Sequence, residues 1–181
     1  MGNRPSRSDP HVLLTGHRPG IIMNIMEIKK IVVPVDFSEL TPVLIDYASD
    51  LAKTFSAKIL LIHVTQPSQL AEMFGDLEVG MPIVSQPDLM GQIENTAKAL
   101  LVKLEKTVAD KGIDVVAAVL MGVSHAEIVQ FAEREKADLI LIGSHGRSGW
   151  QHFVLGSVAE KVARKSPVPV LIYRPKTKPA K

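Results

Sequence analysis

The chain predicts an α/β domain: an open, doubly wound, five-stranded parallel sheet with helices on both faces, Rossmann-like in arrangement. Three observations lead there. Five short runs of Val, Ile and Leu recur along the chain without polar alternation, as expected of strands buried on both faces. Amphipathic helical stripes separate most of them. Connections of that length are crossovers, and crossovers make neighbouring strands parallel.

The elements follow in order. Ile31–Val35 is the first strand, although Pro34 lies within it. Proline cannot donate to a ladder, so Pro34 belongs near the carboxyl end of a central strand, where pairing gives way to a loop. Ligands bind at those ends in open α/β sheets. Thr41–Ser56 is a helix with Leu44, Tyr47, Ala48, Leu51, Ala52 and Phe55 on one face. Lys58–Val64 is the second strand, and Ile93 through Val108 marks a long amphipathic helix. Ile113–Leu120, Ala137–Gly143 and Val168–Tyr173 are the third, fourth and fifth strands. Helices at Ala126 to about Lys136 and at Val158–Lys165 lie between them. Thr65–Leu89, with three prolines and two glycines, reads as a long loop or lid.

Of the 181 residues, 1–28 read as a disordered leader, 29–173 as the domain and 174–181 as a basic flexible tail. The net charge of +2 and a pI of 8.8 suggest an affinity for polyanions, but the charge is not where such a function needs it. The first 25 residues carry +2 and Arg174–Lys181 carries +4, which leaves −4 for the body between them. A nucleic-acid surface is therefore not expected, and the tail lysines have no interleaved aromatic residues. There is no cysteine, hence no disulfide framework, thiolate metal site or cysteine nucleophile. No apolar run approaches the roughly 18 residues of a membrane span. The expectation is a cytoplasmic protein without a membrane partner.

The densest chemical signal is Gly143-Ser144-His145-Gly146-Arg147-Ser148-Gly149, followed by Gly156-Ser157. It begins where the fourth strand ends and finishes where a helix begins. Glycines let a backbone approach a ligand and turn successive amides toward one anion. Ser157 with Glu160 fits a capping box, and the dipole at that helix start favours phosphate, with Arg147 as added charge. The plain alternative is a glycine-rich turn without a ligand. Neither G-x-x-x-x-G-K-[ST] nor G-x-G-x-x-G is present, so any cradle here is of another kind.

The spacing Gly143-x2-Gly146-x9-Gly156-Ser157 resembles the nucleotide-binding signature of the universal stress protein family, in its ATP-binding branch. Val33-Pro34-Val35-Asp36-Phe37-Ser38-Glu39 is similar to that family's first strand and turn, His63-Val64 to the end of its second strand, and Leu155–Val162 to its last helix. The likeness runs from about Lys29 to Tyr173. It implies ATP, with or without Mg2+, at the carboxyl end of the sheet between the first and fourth strands. By position it implies Asp36 on ribose or adenine polar groups, Pro34 and Val35 lining the base pocket, and Val64 meeting the adenine edge through its backbone. Ile142 and Gly143 would flank the ribose with Gly122 near it. Gly146, Gly156, Ser157 and Val158 would hold the phosphates. Val35 stands where the family often has Thr or Ala, and Gly122-Val123-Ser124 lacks a proline common there. The resemblance also implies a homodimer through the last strand, Val168–Tyr173, an apolar edge that would otherwise be exposed.

Other residues have plainer readings. Asp36 could cap the following helix. Ser124 with Glu127 forms a second capping-box pattern, taken as structural. His63 reads as a satisfied core histidine. His145 and His152 lack the spacing of a metal pair. Trp150 reads as a surface-loop residue. The leading expectation is an ATP-binding regulatory module of the stress response that acts through a partner or a change of oligomer; no lysine is placed for a γ-phosphate and no base for water. A slow ATPase using Asp36, Ser144, His145 or Arg147 and a nucleotide-free dimeric scaffold are the alternatives. The sequence does not name the protein partner.

Overall fold

The computed structural model describes residues 27–66, 87–145 and 155–175. Within them run β1 (Lys30–Pro34), α1 (Thr41–Phe55), β2 (Lys58–Thr65), α2 (Pro87–Ala109), β3 (Val115–Met121), α3 (Ser124–Arg134), β4 (Leu139–Gly143), α4 (Ser157–Lys165) and β5 (Val170–Tyr173). The five strands form one sheet in the order β3-β2-β1-β4-β5, and every pair is parallel. The chain winds outward from β1 through β2 to β3, then returns to the other side of β1 for β4 and β5. β1 is therefore the central strand where the winding reverses.

Alternation along the strands divides the core in two. Ile31, Val33, Ile59, Leu61, Leu139 and Leu141 point to one face and pack on Leu44, Ile45 and Ala48 of α1 and Leu101 and Val108 of α2. Val32, Leu60, Ile62, Ile140 and Ile142 point to the other, against Ile128 and Phe131 of α3 and Ala159 and Val162 of α4. Ile31, Ile59, Leu61, Ile140 and Leu141 are wholly buried, and each such side chain contributes about 1.5–3 kcal/mol relative to exposure. Burial on both faces explains the unbroken apolar runs in the sequence.

The elements begin and end close to their expected positions, with informative differences. The helix after β2 starts at Pro87, so it takes the last residues of the expected Thr65–Leu89 loop; residues 67–86 lie outside the described residues. Val168 and Pro169 precede β5, although Pro169 O already accepts from Ile140 N at 2.9 Å. α1 stops at Phe55 because Ser56 turns into the left-handed region at φ 53° and donates its N–H back to Lys53 O. At the amino end of the sheet, the Asp138 carboxylate accepts from the Lys29 and Lys30 amides at 2.8 and 2.9 Å. It sets β1 beside β4 from the bottom. The described residues contain no helix long and apolar enough to cross a membrane. The leader through residue 26 and the tail from 176 lie outside the described residues.

Candidate functional site

Pro34 divides the carboxyl end of the sheet. In a parallel strand, backbone groups point to alternate sides at successive residues. Lys30 O accepts from Asp138 N on the β4 side, and Val35 N donates to Ile62 O at 2.8 Å on the β2 side. By that alternation Pro34 faces β4, and it has no N–H with which to continue the ladder. The pairing of β1 with β4 ends at Val32↔Ile140, whereas that with β2 runs on to Pro34↔Ile62. The misplaced-looking proline is where the ladder between β1 and β4 stops, at the carboxyl end where open α/β sheets bind ligands.

Two backbones border the place where it stops. Gly143 shares the orientation of Leu141, toward β1, because Ser144 N turns the other way to donate to Tyr173 O at 2.8 Å. Its polar groups therefore face the gap past Pro34. On the other side, Ile62 faces β1 and Thr65 faces β3, where its carbonyl accepts from Gly122 N at 3.0 Å. Val64 then faces β1, beyond the last residue that pairs with it. Val35 O would be the next acceptor in that ladder. The His63 ring takes it instead, with Nδ1 at 2.8 Å.

His63 thus acts as a structural histidine, bonded at its ring and half-buried, and it also packs on Phe37 with centroids 4.4 Å apart. Phe37 adopts φ 59°, unusual for a bulky residue. The turn that permits this is held by Asp36, whose Oδ1 accepts from Ser38 N at 3.0 Å. The capping role considered for Asp36 is not what it does. α1 begins at Thr41 after Leu40, with no side-chain cap; Asp36 instead shapes the turn that carries β1 past the crevice. Neither Phe37 nor the His63 contact to Val35 was signalled by periodicity, since both depend on a turn geometry that D-F-S does not specify.

β4 leads into the other half of the site. The Ser144 carbonyl accepts from Gly156 N at 2.8 Å, which holds the start of α4 against the end of β4. A Cβ on Gly156 would lie 3.2 Å from Ser144 O and 3.5 Å from His145 Cα, so any side chain there would press on the end of β4. At Gly143 a Cβ would come within 2.8 Å of Leu40 Cδ2 at the start of α1, the end of a side chain that can turn aside. The N-cap of α4 is Gly156, not Ser157, and no side chain caps it. The expected Ser157–Glu160 capping box is therefore not formed. Ser157, Val158 and Ala159 occupy the first turn, whose amides have no partner within a helix, and Glu160 N is the first to bond back, to Gly156 O. Ser124–Glu127 fails as a box for the same reason: Val123 is the N-cap of α3 and also has no side-chain cap.

The remaining candidates are spread around this centre. Ile142 is a core residue, 6% exposed, which can support a ligand only from behind. Gly122 follows β3, two strands from β1, with φ 148°. Gly146, Arg147, Trp150 and His152 lie outside the described residues. Among the described residues no group of three or more His, Asp or Glu side chains could hold a metal ion. His125 on α3 is held below its usual range by burial and then by Lys165 and Lys161; its ring nitrogen lies 3.2 Å from Lys165 Nζ.

Comparison with known proteins agrees with this fold. A Methanocaldococcus jannaschii protein, Universal stress protein MJ0531, is 34% identical over 147 residues, which is 81% of this chain and 82% of that protein. The solved structure of hypothetical protein MJ0577 superposes with a TM-score of 0.70 at 30% identity, over 84% of this chain and 99% of that one. A universal stress protein from Archaeoglobus fulgidus, solved in complex with dAMP, shares the fold at a TM-score of 0.56 and 23% identity, over 81% of this chain and 98% of that one. Residues 27–174 match the Universal stress protein family, and the chain belongs to it.

Proposed function

We propose that the chain binds an adenine nucleotide, ATP with or without Mg2+, in the crevice between β1 and β4, and serves as a regulatory module of the stress response in the cytoplasm. The observation that carries this reading is the stop of β1 at Pro34: it leaves the backbones of Val64 and Gly143 facing one slot, with the first turn of α4 beyond it. A base edge requires paired backbone donors and acceptors, and a phosphate chain is well served by helix-start amides. In this reading Pro34, Val35 and Val64 take the base, and Asp36 and Gly143 the ribose. Gly156, Ser157 and Val158 take the phosphates, with Gly146 and Arg147 completing the cradle. Ile142 and Gly122 support it. The dAMP complex of the Archaeoglobus protein, on the same fold, is consistent with an adenine nucleotide as the ligand class.

Isothermal titration is the direct test, with ATP, ADP and AMP in turn. Binding at micromolar dissociation constants or tighter is expected; no heat with any of the three would end the proposal. Gly156→Val puts side-chain atoms against Ser144 O and should abolish binding while the thermal unfolding transition stays cooperative. Phosphate release well below about 1 s⁻¹ is expected, the low end of ordinary turnover.

A further inference from the structure

We propose that His125, Lys161 and Lys165 form a second binding site, on the outer seam between α3 and α4, that takes a tetrahedral dianion of the phosphate class. The inference does not depend on the nucleotide reading and concerns a different part of the surface.

Helix packing brings the three side chains together. Ile128 and Phe131 of α3 pack with Ala159 and Val162 of α4, so the outer flanks of the two helices lie side by side. Lys161 and Lys165 are four residues apart and therefore neighbours on one flank of α4. Across the seam the Lys165 ammonium stands 3.2 Å from Nε2 of His125, in the first turn of α3. An ammonium can only donate, so Nε2 accepts and the ring is neutral, with its proton on Nδ1. Lys161 acts on the same ring: burial first, then Lys165, then Lys161 hold His125 below the usual histidine range.

No carboxylate offsets this cluster. The one acid of α4, Glu160, is taken by Arg164. On α3, the Glu127 carboxylate lies against Gly122 at the end of β3, and Glu133 is at the far end of the helix. Among the described residues neither lysine has an ion pair. Like charges at i, i+4 disfavour their own helix, and here a third basic group stands against them. A local rule broken without compensation inside the molecule is expected where a ligand supplies it.

The arrangement also selects the anion. Donors approach from two helices, and a tetrahedral dianion presents oxygens to both, whereas a single carboxylate presents one edge. Charge-assisted bonds to it are the strong kind. On binding, Lys165 turns from the ring to the anion, and Nε2 takes a proton from solvent and donates in its turn. The anion then favours the charged ring that the lysines oppose, so binding tightens as pH falls through the histidine range.

The test follows the His125 ring of the full chain by NMR from about pH 8 to about pH 5, across the histidine range. Its signals are assigned by their loss in His125→Gln. Sulfate is the first probe, because it stays a dianion throughout, and sodium chloride at equal ionic strength is its control. Saturating sulfate should raise the titration midpoint by roughly one unit more than chloride does, equivalent to about tenfold tighter binding on the acid side. Both lysines are exposed, so exchanging them leaves the core intact. Lys161→Gln with Lys165→Gln should start from a higher midpoint and lose the sulfate response; Lys161→Arg with Lys165→Arg should keep it. Inorganic phosphate and phosphoserine at equal concentration then tell the free ion from an esterified one, and a response to either supports the site. Equal shifts in sulfate and chloride mean screening only and overturn the proposal. So does a sulfate response that survives the loss of both lysines.

Discussion

Gly122 is a residue whose identity is required by its backbone. Its φ of 148° suits glycine, and a Cβ would fall 2.5 Å from Glu127 Oε1 and 2.9 Å from Glu127 Cγ. Gly122→Ala should therefore lower stability by about 1–3 kcal/mol in chemical denaturation, the usual cost of a residue forced into such a conformation. Adding Glu127→Ala should recover only the steric part, since the side chain of Glu127 can move and the dihedral cannot. Thr65 makes the opposite case. It is buried at 7% exposure and its hydroxyl has no hydrogen-bond partner among the described residues. Thr65→Val removes an unsatisfied group at nearly constant shape, so stability should be unchanged or rise by about 1 kcal/mol. A clear loss on thermal unfolding would contradict that account. Single residues of the site were unevenly legible. Pro34 was a visible anomaly because a missing donor is a covalent fact, readable without coordinates. Phe37 was not, because its positive φ arises from the Asp36 bond to Ser38 and from the His63 ring across the turn.

At the scale of elements, periodicity served the interior of strands and helices better than their ends. β2 and β4 are apolar on both faces and were recognisable as buried strands, because both core halves use them. The capping boxes show the limit. Ser-x-x-Glu occurs at Ser124 and at Ser157, and in both places the helix begins one residue earlier than the pattern implies. At α4 the cause is tertiary: the bond from Gly156 N to Ser144 O fixes where the helix starts. Ser157 is then in the first turn, where its hydroxyl is not spent on its own helix. A four-residue pattern has no access to a contact with a strand that ended a dozen residues before.

The whole molecule presents β3 and β5 as the two edges of the sheet. On β5, Pro169 O accepts from Ile140 N and Tyr173 O from Ser144 N, so Val170 and Ile172 turn their backbone groups outward. All four residues of the strand are partly exposed, and none is charged. This edge is where the homodimer that the family resemblance implies would form, strand against strand. Ile172→Pro deletes an outward donor and no bond to β4, so it separates assembly from folding. Light scattering should report a dimer for wild type and a monomer for Ile172→Pro, with nucleotide titration unchanged; a monomeric wild type at micromolar concentration would refute the dimer. That the sheet is parallel and covered on both faces follows from the alternation of elements that the sequence displays. Its strand order does not, because the same alternation suits several orders, and neither does the edge that is covered, because an edge strand reads much like a central one.

Pro34 has one more consequence, and it concerns time. A slot between two strands that could zip together would have to be pried open before each arrival, and that opening would limit how fast a ligand enters. Here the zipper lacks a tooth: the pairing of β1 with β4 ends at Val32↔Ile140 because Pro34 has no N–H with which to extend it. Association through that slot then requires no unzipping of β1 from β4.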